Sequence, residues 1–475
     1  MSDIGLVIPE ASLTTLACLV LMVDVFRGGR TWLITFWAGV LSVLLVLLTI
    51  TVWFPIQSST AFYQTVQIDV MSAVLKAFVL VMVMMSFFYA KEYFEQQARA
   101  IPEFFVLALF ATLGMMVLIS AGSLVTVYLG LELLSLSLYA MVAMDRDSVK
   151  ASEAAMKYFI LGALASGMLL YGMSMIYGVT GTLDLALIAE QSTADEKTLL
   201  LVFGLAFMLT GIAFKLGVAP FHMWVPDVYQ GASTPVTLFI SSAPKLAAFA
   251  LAMRVLTEGL SGLVVDWQQM LMILAVLSMA IGNIVAIAQT NIKRMLAYST
   301  VAHMGFLLLG LIAANALGYA GAMFYAIVYS LTSMGAFGAV IVLSRKGQDG
   351  EQLSDFAGLS KRSPWIAFLI LVLMFSLAGV PPFAGFWAKW FVLKELVGAG
   401  YVWLAAVAVF FSIIGAFYYL RVVKLMYFDE PMRHDGLAAS SDMRLVFSVN
   451  SLAIVALGIL PGSLMSVCEK ALLAF

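Results

Sequence analysis

Apolar runs of about twenty residues follow one another almost from end to end of this 475-residue chain, and they leave it few folds to adopt. A run of that length matches the hydrocarbon core of a bilayer. In hydrocarbon every backbone N–H and C=O must find its partner within the segment, which an α-helix achieves. Fourteen such runs can be read, at about 4–26, 32–54, 68–90, 104–120, 124–144, 152–177, 199–220, 235–256, 270–289, 295–313, 317–343, 365–396, 401–428 and 446–468. They are called spans 1 to 14. The expected fold is an all-α polytopic membrane protein, a single transmembrane domain over residues 1–475. The composition agrees: 63% of residues are hydrophobic and 11% charged, against roughly a quarter charged in soluble domains. Span 1 starts at Ile4 with no basic region before it, so it is expected to be a transmembrane helix and not a cleaved leader.

Several function classes fall away. A net charge of −2 offers no basic surface to nucleic acid. The two cysteines, Cys18 and Cys468, form no CxxC, and the three histidines, His222, His303 and His434, are dispersed. No metal site and no redox centre is expected in this chain.

Basic residues test the span count. With both termini outside, sixteen of the 25 Lys and Arg fall in inside connections, among them Arg30, Arg99, Lys293, Lys346, Arg421 and Arg433. Four fall outside, Lys197, Arg254, Lys394 and Lys470, and five lie within spans. A bias of four to one follows the positive-inside rule.

Two spans are interrupted alike. Gly-Val-x-Pro-Phe occurs at Gly217–Phe221 in span 7 and at Gly379–Phe383 in span 12. Proline removes a donor and clashes one turn back, so both helices should break. The two spans are five helices apart and therefore cross in opposite directions. Broken helices in matching positions of an inverted pair point to a transport path at mid-membrane, here with five-helix repeats at about 104–256 and 270–428. Water in that path is expected to satisfy the freed carbonyls. A chance match of five residues is the competing reading.

Six charges sit inside apolar runs: Lys76, Glu132, Lys157, Lys215, Lys245 and Lys389. A charge at the bilayer centre costs about 2.5–3.5 kcal/mol on insertion scales. Lysine suits a proton relay because burial readily moves its proton affinity, and no arginine is expected at these interior positions. Glu132 in span 5 and Lys157 in span 6 are on neighbouring antiparallel helices and could pair, with Glu153 a competing partner one turn from Lys157. Such a pair either couples proton release to a change in the attraction or only orients two helices. Lys215 precedes the first break, Lys389 follows the second, and Lys245 follows Pro244, whose kink should open carbonyls nearby. His222 ends the broken span 7, and His303 lies inside span 10. Each is either a relay group or a hydrogen-bonded structural histidine. Lys76 could snorkel to the outer surface.

Phe214–Val236 (FKLGVAPFHMWVPDVYQGASTPV), together with Gln289–Ser299 (QTNIKRMLAYS) and His303, resembles the subunit N family of bacterial NADH–quinone oxidoreductase, respiratory complex I. The likeness runs through essentially the whole chain. The Pro-Phe-His-x-Trp-x-Pro-Asp core is shared with related antiporter-like subunits and with multisubunit cation/proton antiporters. The Asp227-Val-Tyr-Gln-Gly-Ala continuation is specific to subunit N. Lys389 matches that pattern too, where the subunit M pattern has a glutamate.

The resemblance implies a proton relay of Glu132, Lys157, Lys215, Lys245, Lys389, His303 and His222, with Glu132 and Lys215 as partners and Lys245 central. It implies a proton-translocating membrane-arm subunit in a bacterial inner membrane, beside neighbouring antiporter-like subunits and within the lipid bilayer. NADH, FMN, iron–sulfur clusters and quinone would belong to partner subunits. An inner half-path would reach Lys245 and an outer one would leave from Lys389. The rivals are a stand-alone cation/proton antiporter and a scaffold that moves no ions.

Overall fold

The computed structural model describes residues 3–27, 32–55, 57–97, 101–192, 198–345, 349–431 and 439–473. Of the residues invoked above, Arg30, Arg99, Lys197, Lys346, Arg433 and His434 lie outside them. All fourteen expected spans are helical. Twelve helices among the described residues are long and apolar enough to cross a membrane, by length and composition. Two further spans are shorter apolar helices, Glu103–Ile119 and Pro364–Ala378. Span 12 resumes after its break as Ala384–Gly398.

Spans 10 and 11, Ile292–Ile312 and Ala316–Leu343, form the buried centre, with nearly every residue covered. Spans 2, 6 and 13, at Trp32–Val52, Val149–Thr180 and Val402–Phe428, lie at the periphery. They turn apolar side chains outward, such as Trp37, Leu164 and Ile413. Glycine lets neighbouring helices approach. A Cβ on Gly114 would meet the Leu134 nitrogen at 2.5 Å, and one on Gly130 the Leu118 nitrogen at 2.6 Å, locking spans 4 and 5 together. At one end a small hairpin, Ser59–Ala61 paired with Val66–Ile68, bridges onto Ala121 between spans 4 and 5.

Some boundaries differ from expectation, each for a visible reason. Span 14 runs Ser441–Ile459 and stops before Pro461, from which a separate helix, Pro461–Leu472, begins. Span 8 is Thr234–Ser241 followed by Ala243–Ala252, with an interruption at Ser242 two residues before Pro244. The carbonyls opened there are taken by serines: Ser242 donates to the Leu238 oxygen at 2.7 Å and Ser241 to the same oxygen at 3.1 Å. Span 8 then continues as a π-helical turn, Met253–Gly259.

Candidate proton-transfer site

The two breaks share one backbone geometry. Leu199–Leu216 ends at Gly217 with φ 81° and ψ 35°; Pro364–Ala378 ends at Gly379 with φ 85° and ψ 35°. Left-handed backbone of this kind favours glycine. At each, the glycine N–H and the next N–H fold back onto the last turn: Gly217 and Val218 onto Ala213, Gly379 and Val380 onto Phe375. The chain restarts as Trp224–Gly231 in the first case and Ala384–Gly398 in the second.

Lysines, not water alone, satisfy the last carbonyls. Lys245 Nζ donates to the Leu216 oxygen at 2.9 Å. Lys389 Nζ donates to the Ala378 oxygen at 2.9 Å, more weakly to Leu377 at 3.4 Å, and to Ser412 Oγ at 2.9 Å. Leu216 and Ala378 each stand directly before the break glycine, so an ammonium sits on the corresponding carbonyl in both. A helix C-terminus carries partial negative charge and favours a cation. Trp224 Nε1 donates to the Phe214 oxygen at 3.0 Å, and its ring lies 5.5 Å beneath Lys245 Nζ.

Lys215 Nζ donates to Ser135 Oγ at 2.5 Å and faces the Tyr139 ring at 5.8 Å. Ser135 is on span 5, one turn beyond Glu132. Glu132 is within electrostatic range of Lys215, yet no ion pair joins them among the described residues, and Glu132 Oε1 is buried without a hydrogen-bond partner. A cavity of about 20 Å³, room for about one water, lies against Lys215, Lys245, Tyr158 and Trp224.

His303 is buried between two tyrosines. Its Nδ1 is 2.6 Å from Tyr325 Oη and its Nε2 3.0 Å from Tyr419 Oη. Tyr419 contacts Ser299 Oγ at 2.5 Å and accepts from Tyr418 at 3.1 Å, while Tyr418 is also 3.1 Å from Asn283 Oδ1. A cavity of about 10 Å³ joins His303, Lys389, Ser412, Tyr418 and Tyr419. Across this cavity the second break faces a hydrogen-bonded chain of hydroxyl and imidazole groups, each able to donate and accept.

Other expected residues stand elsewhere. The Glu132–Lys157 pair does not form. Lys157 bridges Asp227 at 2.8 Å and Glu153 at 2.9 Å, and it is 44% exposed. Asp227 also holds Arg294 at 2.8 Å, and the cluster lines an open cavity of about 230 Å³. His222 borders the first break near the Tyr298 ring, with its Nδ1 buried and without a hydrogen-bond partner among the described residues. Lys76 does not snorkel: it is buried and ion-paired with Glu10 of span 1. Among the described residues one arginine is nevertheless buried. Arg254, counted outside, is wholly buried with Asp69 at 2.7 Å and Glu258 at 2.5 Å. Lys293, counted in an inside connection, is likewise buried on the Ala232 oxygen and Glu351, both at 2.7 Å.

Ser135, Ser412 and the Tyr418–Tyr419 pair had not been singled out from sequence. Asp227 was visible as the last residue of the Pro-Phe-His-x-Trp-x-Pro-Asp core, six residues beyond Phe221, but its partners were not.

The family model for the membrane domain described as "NADH:quinone oxidoreductase/Mrp antiporter, TM" matches residues 121–415. The chain is 59% identical over 407 residues to NADH-quinone oxidoreductase subunit N of Thiobacillus denitrificans, covering 85% of this chain and 84% of that one. It is 52% identical to the subunit N of Thioalkalivibrio sulfidiphilus, covering 98% of each. Among solved structures, a chain of respiratory complex I from Thermus thermophilus is 31% identical and superposes with a TM-score of 0.83, covering 98% of this chain and all of that one. The chain belongs to the NADH-quinone oxidoreductase subunit N family, within the wider NADH:quinone oxidoreductase/Mrp antiporter membrane family.

Proposed function

We propose that this chain is a proton-translocating membrane-arm subunit of NADH:quinone oxidoreductase, with the redox cofactors NADH, FMN, iron–sulfur clusters and quinone held by partner subunits. It works in a bacterial inner membrane with both termini on the outer side, as the distribution of Lys and Arg supports. The observation that carries the reading is the pair of broken helices, each with an ammonium on the carbonyl before its glycine. A lysine in that place is held by hydrogen bonds but has no permanent counter-ion within 4 Å among the described residues. It can give up its proton without breaking an ion pair.

The relay runs through Lys215, Lys245, His303 and Lys389, with Glu132 acting on Lys215 across Ser135. The inner cavity at Lys157, Asp227 and Arg294 serves as the mouth on the side rich in basic residues, with His222 beside the path. Repeats at about 104–256 and 270–428 supply one half-path each. Moving one proton against 100 mV needs about 2.3 kcal/mol, which a change of about two pKa units provides. The test is Lys245→Ala in the assembled complex: electron transfer-driven proton pumping in membrane vesicles falls by about tenfold or more. Pumping at the wild-type rate would refute it. Cation/proton exchange by the isolated chain in liposomes would favour the antiporter reading.

A further inference from the structure

Three charged residues outside this relay are buried together near the hairpin end of the molecule. Arg254 and Glu258 stand one π-helical turn apart on span 8, and Asp69 heads span 3, Val70–Gln97. Both carboxylates converge on one nitrogen, Arg254 Nη1, with Asp69 Oδ2 at 2.7 Å and Glu258 Oε1 at 2.5 Å. Arg254 Nε donates to the Ile119 oxygen at 3.2 Å. The side chains are 0%, 9% and 17% exposed for Arg254, Asp69 and Glu258.

The charges do not balance. Among the described residues one guanidinium faces two carboxylates, and a buried net charge is costly until a proton neutralises it. Arginine keeps its proton. Asp69 is the better-held anion: its other oxygen accepts the Ser72 N–H at 2.7 Å at the start of a long helix, where partial positive charge favours a carboxylate. Glu258 has no such second hold, and of the three it is the one that reaches the surface. Glu258 is therefore the carboxyl better placed to exchange a proton with its surroundings.

The segment's form and surroundings support a working role. Seven residues of π-helix are rare, and such turns concentrate at functional sites. The cavity beside Lys215 and Lys245 is also walled by Ala248, Leu251 and Leu118. Leu251 is three residues before Arg254, and Leu118 precedes the residue whose carbonyl Arg254 holds. The wall of this one-water cavity thus extends along span 8 from Lys245 to Leu251, one turn short of Arg254; Lys245 and Glu258 are separated by roughly 20 Å at about 1.5 Å per residue.

We propose that Glu258 is a proton-binding carboxyl at the hairpin end, loaded from Lys245 along span 8, which gives the first half of the molecule a mouth of its own on that side. The proposal rests on the relay reading above. In the step, the carboxyl O–H bond breaks and its proton passes to water at the surface, leaving a carboxylate beside Arg254. A proton arriving through water from the Lys245 cavity restores the O–H bond. Among the described residues, the charged groups that act on Glu258 are Arg254 and Asp69. The short helix Leu185–Gln191, packed on the same turn, brings Leu185 against Gly259.

The test uses the whole complex in membrane vesicles. Glu258→Gln keeps the side chain's shape and an oxygen for Arg254 but cannot cycle a proton. Pumping is expected to fall about tenfold or more with the complex assembled. Wild-type pumping by the Gln variant would overturn the proposal, since a structural carboxyl tolerates this change. Should that variant fail to assemble, Glu258→Asp carries the test: its pH profile of pumping is displaced from wild type, and an unchanged profile overturns the proposal. Lys245→Ala separates the two claims. Loss with Lys245→Ala but not with Glu258→Gln refutes this proposal alone, and loss with neither refutes the relay reading itself.

Discussion

The two breaks reach the same hydrogen bond by different means. At the first, the ammonium comes from the next span, Lys245, and the residue eleven positions past the last helical carbonyl is Asp227, turned away to Lys157 and Arg294. At the second, that same position is Lys389, which reaches back eleven residues to its own span. The surroundings differ as well. Gly217, Val218 and Ala219 are buried, and the Ala219 N–H donates to Ser278 Oγ at 2.8 Å. Pro381 and Pro382 are exposed, and position 381 has no N–H to donate. The first break is thus a covered junction between two helices. The second is a more open one that faces a hydroxyl–imidazole chain across a small cavity. The lesson is that the fold constrains the carbonyl, and the lysine can come from whichever helix passes within reach.

This contrast can be broken or sharpened by mutation. The largest effects are expected from Lys245→Ala and Lys389→Ala, each lowering proton pumping by about tenfold or more. Stability should separate them. Lys245→Ala leaves the Leu216 carbonyl buried without its donor, at a cost of about 1–3 kcal/mol, whereas Ala378 keeps exposed residues, Pro381 and Pro382, just beyond its break. Thermal inactivation of the assembled complex should come earlier only for the first. Equal losses would erase the distinction between a covered and an open break.

Next are Gly217→Ala and Gly379→Ala, which force a side chain into left-handed backbone at roughly 1–2 kcal/mol. A Cβ at 217 would lie 2.8 Å from Val225 Cγ2, a packed neighbour; one at 379 would lie 2.9 Å from Lys389 Cδ, a flexible tail. The first should therefore show mainly as lost thermal stability. The second should show mainly as lost pumping, through displacement of the ammonium. Ser135→Ala removes the direct partner of Lys215, worth about 1 kcal/mol or roughly fivefold in rate, without unfolding the site. Smallest of all is Asp227→Asn. Its ion pairs are partly exposed and worth about 0.2–1 kcal/mol, so pumping should change by less than about threefold, and less again at high salt. A collapse of pumping with Asp227→Asn would mean that this position does the same work in both halves.

What could be read from sequence follows from what is local. The helices declare themselves by length and apolarity, and the breaks by a glycine and a proline a few residues apart, so spans 7 and 12 were visible without structure. Lysines in apolar runs were equally visible, because nothing else explains their presence there. Partners were not. Lys157 and Asp227 are 70 residues apart in sequence, and no periodicity links them. Glu10 and Lys76 meet across three spans. Ser135 and Tyr419 looked like ordinary residues of apolar helices, and only the approach of Lys215 and His303 gives them work. Arg254 was misplaced because it lies near the end of a run, where linear counting puts an arginine in water and the π-helical turn puts it in the core.

The central claim is that the two break ammonium groups must release protons and not merely hold carbonyls, and arginine separates these roles. Lys245→Arg and Lys389→Arg keep a cation and donors but cannot deprotonate. Proton pumping driven by NADH oxidation should be measured in vesicles with each variant assembled in the whole complex. The account predicts intact assembly with pumping largely abolished in both. Wild-type pumping with arginine at either position would contradict it.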